Sequence, residues 1–429
     1  MPLDPARVIE ELQDLERLTG DPNGAQRVCW TPVWEQSRGW LHEKLAALPV
    51  DIDRDEAGNL WATLRGASSR TVLLGGHFDS VEDGGWLDGC LNVVAALEVL
   101  RRLCEEGTPA VTVALVDWAD EEGFRFGKSL WGSSCASGTM DPNAFRVLRD
   151  RDGIPLPEAL AAHGVDIDRA LGAQSRLRDV AAYLELHIEQ GPVLESIDHP
   201  LGVVLGTFGV ERHVVSFTGQ RAHVGATPMA MRHDPVAGMA RFALEGREIA
   251  LRHGGVTTIG VLEAPGGIPT AVPAEVRMTF DQRHLEQATL DEMLRQARAA
   301  SERIASEERL EVGWSVQWRI PARPFDARLI DFCDEAILET VGRSHRMPSG
   351  ALHDAAEMAG AGIPTVMMFV QSLRGLSHNK EEDTLPDHIA ASVRALDVLV
   401  SKTNAYVAQA AVETAASTFG GSGPSEAAP

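Results

Sequence analysis

The 429-residue sequence is short of positive charge, of paired cysteines and of long apolar runs. With 39 Lys and Arg against 62 Asp and Glu, its formal net charge is -23. That balance excludes nucleic acid and anionic membrane as partners, and any anionic substrate must be met by positive charge concentrated locally. No stretch approaches the roughly 20 apolar residues that a bilayer span needs. The opening segment MPLDPARVIEELQDLERL reads as an acidic amphipathic helix, not as a basic and then apolar signal peptide, so a cytoplasmic protein is expected. The five cysteines, Cys29, Cys90, Cys104, Cys135 and Cys333, are odd in number and include no C-x-x-C pair. Neither a disulfide framework nor a thiolate zinc site is expected, and reduced, buried thiols are the simplest reading.

A hydrophobic content of 44% over this length can fill more than one core, and two or three domains are expected. Up to about residue 207, short apolar runs alternate with helical stretches: TVLLGG, CLNVVAALEVLRRLCEEG, VTVALVDWAD and then AAYLELHI. This alternation predicts an α/β fold with a largely parallel sheet. From 208 to 321 the order becomes strand, helix, strand, strand, helix, strand, which predicts an inserted ferredoxin-like α+β domain. The first pattern resumes at 322, so the first domain is expected to be discontinuous, 1–207 with 322–429. It ends in a Gly/Ser/Pro tail, GGSGPSEAAP, that should be disordered.

The segment LLGGHFDSVEDGGWLDGC sets His77, Asp79, Glu82, Asp83 and Asp88 where a buried strand should end. In parallel α/β sheets, functional groups gather at the C-terminal ends of strands. His77 and Asp79 follow TVLLGG, Asp88 opens the next helix, Glu121 and Glu122 follow VTVALVDWAD, His187 ends AAYLELHI, and His378 follows TVMMFV. Taken singly, a His-x-Asp is more often a surface turn, a Glu-Glu a solvated loop, and a lone His a satisfied core residue. Together they suit two divalent ions about 3.5–4 Å apart that share one bridging carboxylate and lower the pKa of a common water. In the acidic pair, one glutamate can ligate while its neighbour acts as general base.

The strings GGHFDSVEDGGWLDG, DEEGFRFGKSLWGSS, LELHIEQGPVLE, GQRAHVGATPM, SGALHDAAEMA and MFVQSLRGLSHNKEEDT occur in this order between about residues 15 and 410. In them the chain resembles the hydantoinase/carbamoylase family of metal-dependent amidases, within the wider aminoacylase and carboxypeptidase group. The resemblance implies that His77 and His187 ligate one metal, Glu122 and His378 the other, with Asp88 as the bridge. It makes Glu121 the general base and Asp79 a partner that orients His77. It implies that the inserted domain forms a homodimer and that His223 reaches the partner's active site to stabilise the oxyanion. Arg283 is implied to bind the substrate carboxylate, with Gln190 and positions 270 and 352 also on the substrate. Three positions depart from the family pattern: Thr270 where Asn is usual, Leu352 where Gly is usual, and Asn92 where Gly is usual.

The expected reaction is hydrolysis of a linear amide or ureido C–N bond in a small carboxylate-bearing substrate, foremost an N-carbamoyl-L-amino acid. An aminoacylase, amino-acid-conjugate hydrolase or dipeptidase is the runner-up, and an allantoate-type ureide hydrolase is third. A binding module without catalysis is disfavoured, because every matched ligand and Glu121 are present. His and carboxylate donors suit Zn, Mn, Co or Ni alike.

Overall fold

The structure, a computed structural model, describes residues 2–419, with side chains described to residue 410. The tail at 420–429, expected to be disordered, lies outside the described residues. By its internal contacts the chain divides into two compact units, Met1–Leu205 with Phe325–Pro429, and Gly206–Pro324. The principal strands are β1 (Asp51–Arg54), β2 (Leu60–Leu64), β3 (Ser68–His77), β4 (Val111–Trp118), β5 (Val180–Ile188), β6 (Leu201–Thr207), β7 (Gly209–Thr218), β8 (Val256–Thr258), β9 (Glu275–His284), β10 (Glu311–Ile320) and β11 (Thr365–Val370). The principal helices are α1 (Pro5–Thr19), α2 (Pro32–Ala46), α3 (Cys90–Glu106), α4 (Pro235–His253), α5 (Gln287–Glu308), α6 (Ala327–Val341) and α7 (Pro386–Phe419).

In the first unit the strands stand in the order β6–β11–β5–β3–β4–β2–β1. The four central strands, β11, β5, β3 and β4, are mutually parallel. Every residue of β4, β5 and β11 is buried, as expected of parallel strands covered on both faces. The flanks differ from the expectation, because β6, β2 and β1 join antiparallel. At one flank the reason is local: β1 and β2 form a hairpin whose turn is closed by Asp55 Oδ1, accepting from the N–H groups of Ala57 and Asn59 at 3.0 Å each. α3 is buried almost all round from Cys90 to Arg101, which is why it reads as a near-continuous apolar helix.

In the second unit the strands stand in the order β10–β7–β9–β8, each pair antiparallel. Its own core joins Phe217, Phe242, Phe280 and Met293 from β7, α4, β9 and α5. Among the described residues no helix is long and apolar enough to cross a membrane. All five cysteines are free, and only Cys104 is partly exposed.

Because β3, β4, β5 and β11 are parallel, their C-terminal ends share one edge. His77, the loop carrying Glu121 and Glu122, His187 and the loop carrying His378 all leave the sheet there.

Candidate metal centre

Each side chain at this edge is set by its backbone. Gly89 follows Asp88 with φ +66, and a Cβ there would lie 2.4 Å from Cε1 and Nδ1 of His77. Only glycine lets the Asp88 turn close on the imidazole in that conformation. The Asp88 main chain is held by Glu382, whose Oε1 accepts from the N–H groups of Leu87 at 3.1 Å and Asp88 at 3.0 Å. Asp120, Gln190 and His378 all have positive φ. Three of the loops that present the site are therefore held in backbone conformations that non-glycine residues seldom adopt.

Two donor triads share Asp88. His77, Asp88 and His187 offer ligand atoms that all lie within 4.8 Å of one another, and so do Asp88, Glu122 and His378. The two oxygens of Asp88 face different triads. Oδ1 lies 3.0 Å from His187 Nε2 and 3.7 Å from His77 Nε2, while Oδ2 lies 3.5 Å from His378 Nε2. His378 Nε2 is also 3.2 Å from Glu122 Oε2. Ligands about 2.1 Å from a tetrahedral ion stand roughly 3.4 Å apart, so these separations match the donor spacing of a metal site. The inner nitrogens point away from this space: His77 Nδ1 lies 3.0 Å from the carbonyl oxygen of Asp79, and His187 Nδ1 2.8 Å from that of Ile188. Those carbonyls accept from Nδ1 and leave both Nε2 atoms facing inward.

Asp79 thus meets His77 mainly through its main chain, its Oδ1 being 3.7 Å from Nδ1. Its carboxylate accepts instead from the N–H groups of Glu121 and Glu122, at 3.2 and 3.1 Å, and so clamps the acidic loop. Glu121 belongs to neither triad; its Oε2 lies 3.9 Å from His77 Nε2.

The electrostatics show what the residues lack by themselves. Burial, then the charges of Asp354, Glu122, Asp79 and Asp88, push the Glu121 carboxyl well up. Burial, then Asp88, Asp79 and Glu382, do the same to Glu122. Burial brings His77 down to about 4, so its imidazole is neutral. His77 Nε2 and Glu122 Oε1 are buried without a hydrogen-bond partner. Burial opposes the charge of Asp88 at His187, but Asp88 wins and raises that imidazole to about 9, so in the metal-free protein it is a cation paired with Asp88. Crowded carboxyls, a neutral His77, a His187 cation standing against Asp88 and orphaned inward atoms are what a metal cation would satisfy at once, and the residues present fit divalent metal.

A cavity of about 200 Å³ opens onto this cluster, lined in part by Glu121, Gln190, Leu352, His353 and His378. Gln190 Nε2 donates to Asp88 Oδ2 at 2.9 Å and to Ser377 Oγ at 3.0 Å, and Ser377 Oγ donates to the same carboxylate oxygen at 3.0 Å. Ser377, Glu382 and His353 were not foreseen from the sequence. Ser377 and Glu382 stand one residue before and four after His378, and His353 follows Leu352, so each lay inside a motif without a chemical signal of its own.

The remaining expected site residues belong to the second unit. There a short strand at Ala222–His223 pairs with Ala271–Val272, and Val224 N–H donates to the Thr270 carbonyl at 3.2 Å. His223 and Thr270 are therefore neighbours. His223 Nδ1 accepts from the N–H groups of Gly225 and Ala226 at 3.2 and 3.0 Å, which places the ring proton on Nε2 as an outward donor. Arg283 lies on β9, where its Nε donates to Asp281 Oδ1 at 2.9 Å.

Paired histidine and carboxylate triads at the C-terminal edge of a parallel sheet define a class, the metal-dependent hydrolases. Residues 73–402 match peptidase family M20/M25/M40. Among curated relatives, allantoate amidohydrolase of Escherichia coli (strain K12) is 33% identical over 404 residues, covering 91% of this chain and 96% of its own length. N-carbamoyl-L-amino acid amidohydrolase of Geobacillus stearothermophilus is 32% identical over 406 residues, covering 91% and 96%. A solved hydantoinase/carbamoylase family amidase from Burkholderia ambifaria superposes with a TM-score of 0.84 at 33% identity, covering 93% of this chain and 95% of its own. The chain belongs to peptidase family M20/M25/M40, and within it to the metal-dependent amidohydrolases that act on non-peptide C–N bonds.

Proposed function

We propose that this amidohydrolase cleaves the ureido C–N bond of an N-carbamoyl-L-amino acid, releasing the amino acid, ammonia and carbon dioxide. The observation that carries the reading is the division of labour around Asp88: one oxygen toward each triad, with Glu121 3.9 Å from His77 and in neither triad. In this reading His77, Asp88 and His187 would hold one divalent ion, and Asp88, Glu122 and His378 the other, and the ions when bound would supply Lewis acidity toward the scissile carbonyl and the attacking water. Glu121 takes the water proton on its carboxylate and returns it to the departing nitrogen. Gln190 and Ser377 keep the Asp88 carboxylate in place through their bonds to Oδ2.

The second unit serves as the dimerisation unit, and His223 of one protomer completes the active site of its partner. Its Nε2–H, fixed by the two main-chain bonds to Nδ1, donates to the developing oxyanion. Arg283 pairs with the substrate carboxylate, Thr270 and Leu352 are the positions at which substrate choice is set, and the protein works in the cytoplasm.

Allantoate is a second reading, because relatives named for that substrate and for N-carbamoyl-L-amino acids are 33% and 32% identical, too near to separate. Ammonia release from N-carbamoyl-L-amino acids and allantoate, and release of the free amino acid from N-acyl amino acids and dipeptides, with Zn, Mn, Co or Ni added to the metal-stripped enzyme, decide among them. Turnover confined to N-acyl amino acids or dipeptides would overturn both ureide readings.

A further inference from the structure

The sheet is not closed where its metal donors sit. β3 and β5 pair in parallel only as far as Leu74 opposite Leu184. Yet β3 stays on β4 through His77, and β5 stays on β11 through Ile188. Over the last residues of each, Gly75 to His77 and Glu185 to His187, the two histidine-bearing strands have no ladder between them. A buried main-chain N–H on such an opened edge must find another acceptor.

Leu186 finds Asn92. The Oδ1 of this side chain accepts the Leu186 N–H at 3.0 Å. Asn92 stands in the first turn of α3, four residues after Asp88, and is only 1% exposed. On its other side it lies against β3: a Cβ on Gly76 would come 3.0 Å from both Asn92 Cβ and Nδ2. One side chain therefore spans the opening and touches the three segments that carry His77, Asp88 and His187. Its Nδ2 is buried with no acceptor. A residue present only to fill space would be apolar, because an orphaned amide N–H is disfavoured in a dry interior. The amide is kept for the one bond that Oδ1 makes.

We propose that Asn92 is a positioning residue for the His77–Asp88–His187 triad: a polar wedge that fixes the spread of β3 and β5 and hence the distance between their two imidazoles. The inference rests on the metal reading above. It assigns Asn92 no contact with substrate.

The test uses the full-length enzyme stripped of metal, with Zn²⁺ as the probe. Asn92→Leu keeps the branched shape and the number of heavy atoms, with somewhat greater bulk, and loses the acceptor; Asn92→Asp keeps an oxygen acceptor at the same place. Two quantities are read: Zn²⁺ affinity against a competing chelator, and amide hydrogen exchange at Leu186 in the metal-free protein. In Asn92→Leu, Leu186 should exchange faster and zinc should bind about 10–100-fold more weakly, as when other outer partners of metal ligands are lost. In Asn92→Asp the slow exchange at Leu186 should persist. Should Asn92→Leu fail to fold, Asn92→Gly removes the same acceptor without adding volume, and the same two changes are expected of it. A folded Asn92→Leu with wild-type zinc affinity and wild-type Leu186 exchange overturns the inference while leaving the metal reading standing. A wild-type protein that binds no zinc, or any of the other divalent ions, overturns both.

Discussion

Replacing Arg38 by Met probes the packing directly behind the candidate site. Arg38 Nε lies 2.7 Å from Asp117 Oδ2, and neither side chain is exposed. The guanidinium also donates to the carbonyls of Gly58 and Asp117 and sits 4.2 Å over the Trp34 ring. Asp117 in turn accepts the Phe78 N–H through Oδ1 at 2.8 Å, so the pair anchors the residue after His77. Arg38→Met keeps the stem and strands a buried carboxylate, and breaking such a pair from one side costs about 3–5 kcal/mol. Adding Asp117→Asn removes the stranded charge and can keep an acceptor for Phe78, so the double variant should be more stable than the single one. The pH dependence has a definite sign. Burial raises the Asp117 carboxyl even though Arg38 opposes it, and without Arg38 it should rise further. An acid raised on folding binds more protons in the native than in the unfolded state. Stability is then lost as pH climbs from the ordinary carboxylate value through the folded one. The Arg38→Met penalty should therefore be smaller at pH 5 than at pH 8. Urea unfolding followed by tryptophan fluorescence at both pH values measures it. A penalty below about 1 kcal/mol, or one equal at both pH values, would refute the reasoning.

Gly75→Ala should destabilise by about 1–3 kcal/mol or more, because its Cβ would lie 2.2 Å from the buried Tyr183 hydroxyl; an unchanged melting temperature would show that the strand can shift. Asp88→Ala should bring metal content below two ions per chain, since in the proposed reading both ions depend on this carboxylate; elemental analysis that still finds two tightly held ions rules out the bridge. Arg283→Ala should lower kcat/KM more than tenfold, mainly through KM, because a buried contact between arginine and carboxylate is worth about 2–5 kcal/mol by truncation. If Arg283→Ala is silent on every accepted substrate, the carboxylate-bearing class is wrong.

Much of the candidate site was legible because the residues gathered there are chemically distinctive and stand at the ends of strongly patterned strands. VTVALVDW and AAYLELHI could hardly be anything but buried strands, so Glu121, Glu122 and His187 had to emerge at an edge. The β1–β2 hairpin was not legible: DIDR is polar, and β1 has no fully buried residue that would give a period-2 signal. Strand β6 escaped for the opposite reason, since LGVVLGT lies close enough to the next apolar run to blur into it. The support around the donors was least legible of all. That the Asp79 carboxylate holds the main chain of Glu121 and Glu122, or that Glu382 holds Asp88, depends on segments brought together only by folding. Residue type gives no sign of it.

The central claim, that Glu121 moves the proton while the neighbouring residues hold metal, is tested most directly by Glu121→Gln. The amide keeps the size and hydrogen-bonding shape of the side chain but cannot take the water proton. Metal content and turnover are measured on the same preparation of the accepted substrate's enzyme. The account predicts wild-type metal content with turnover reduced about 10²-fold or more. Near-normal turnover with full metal content would contradict it.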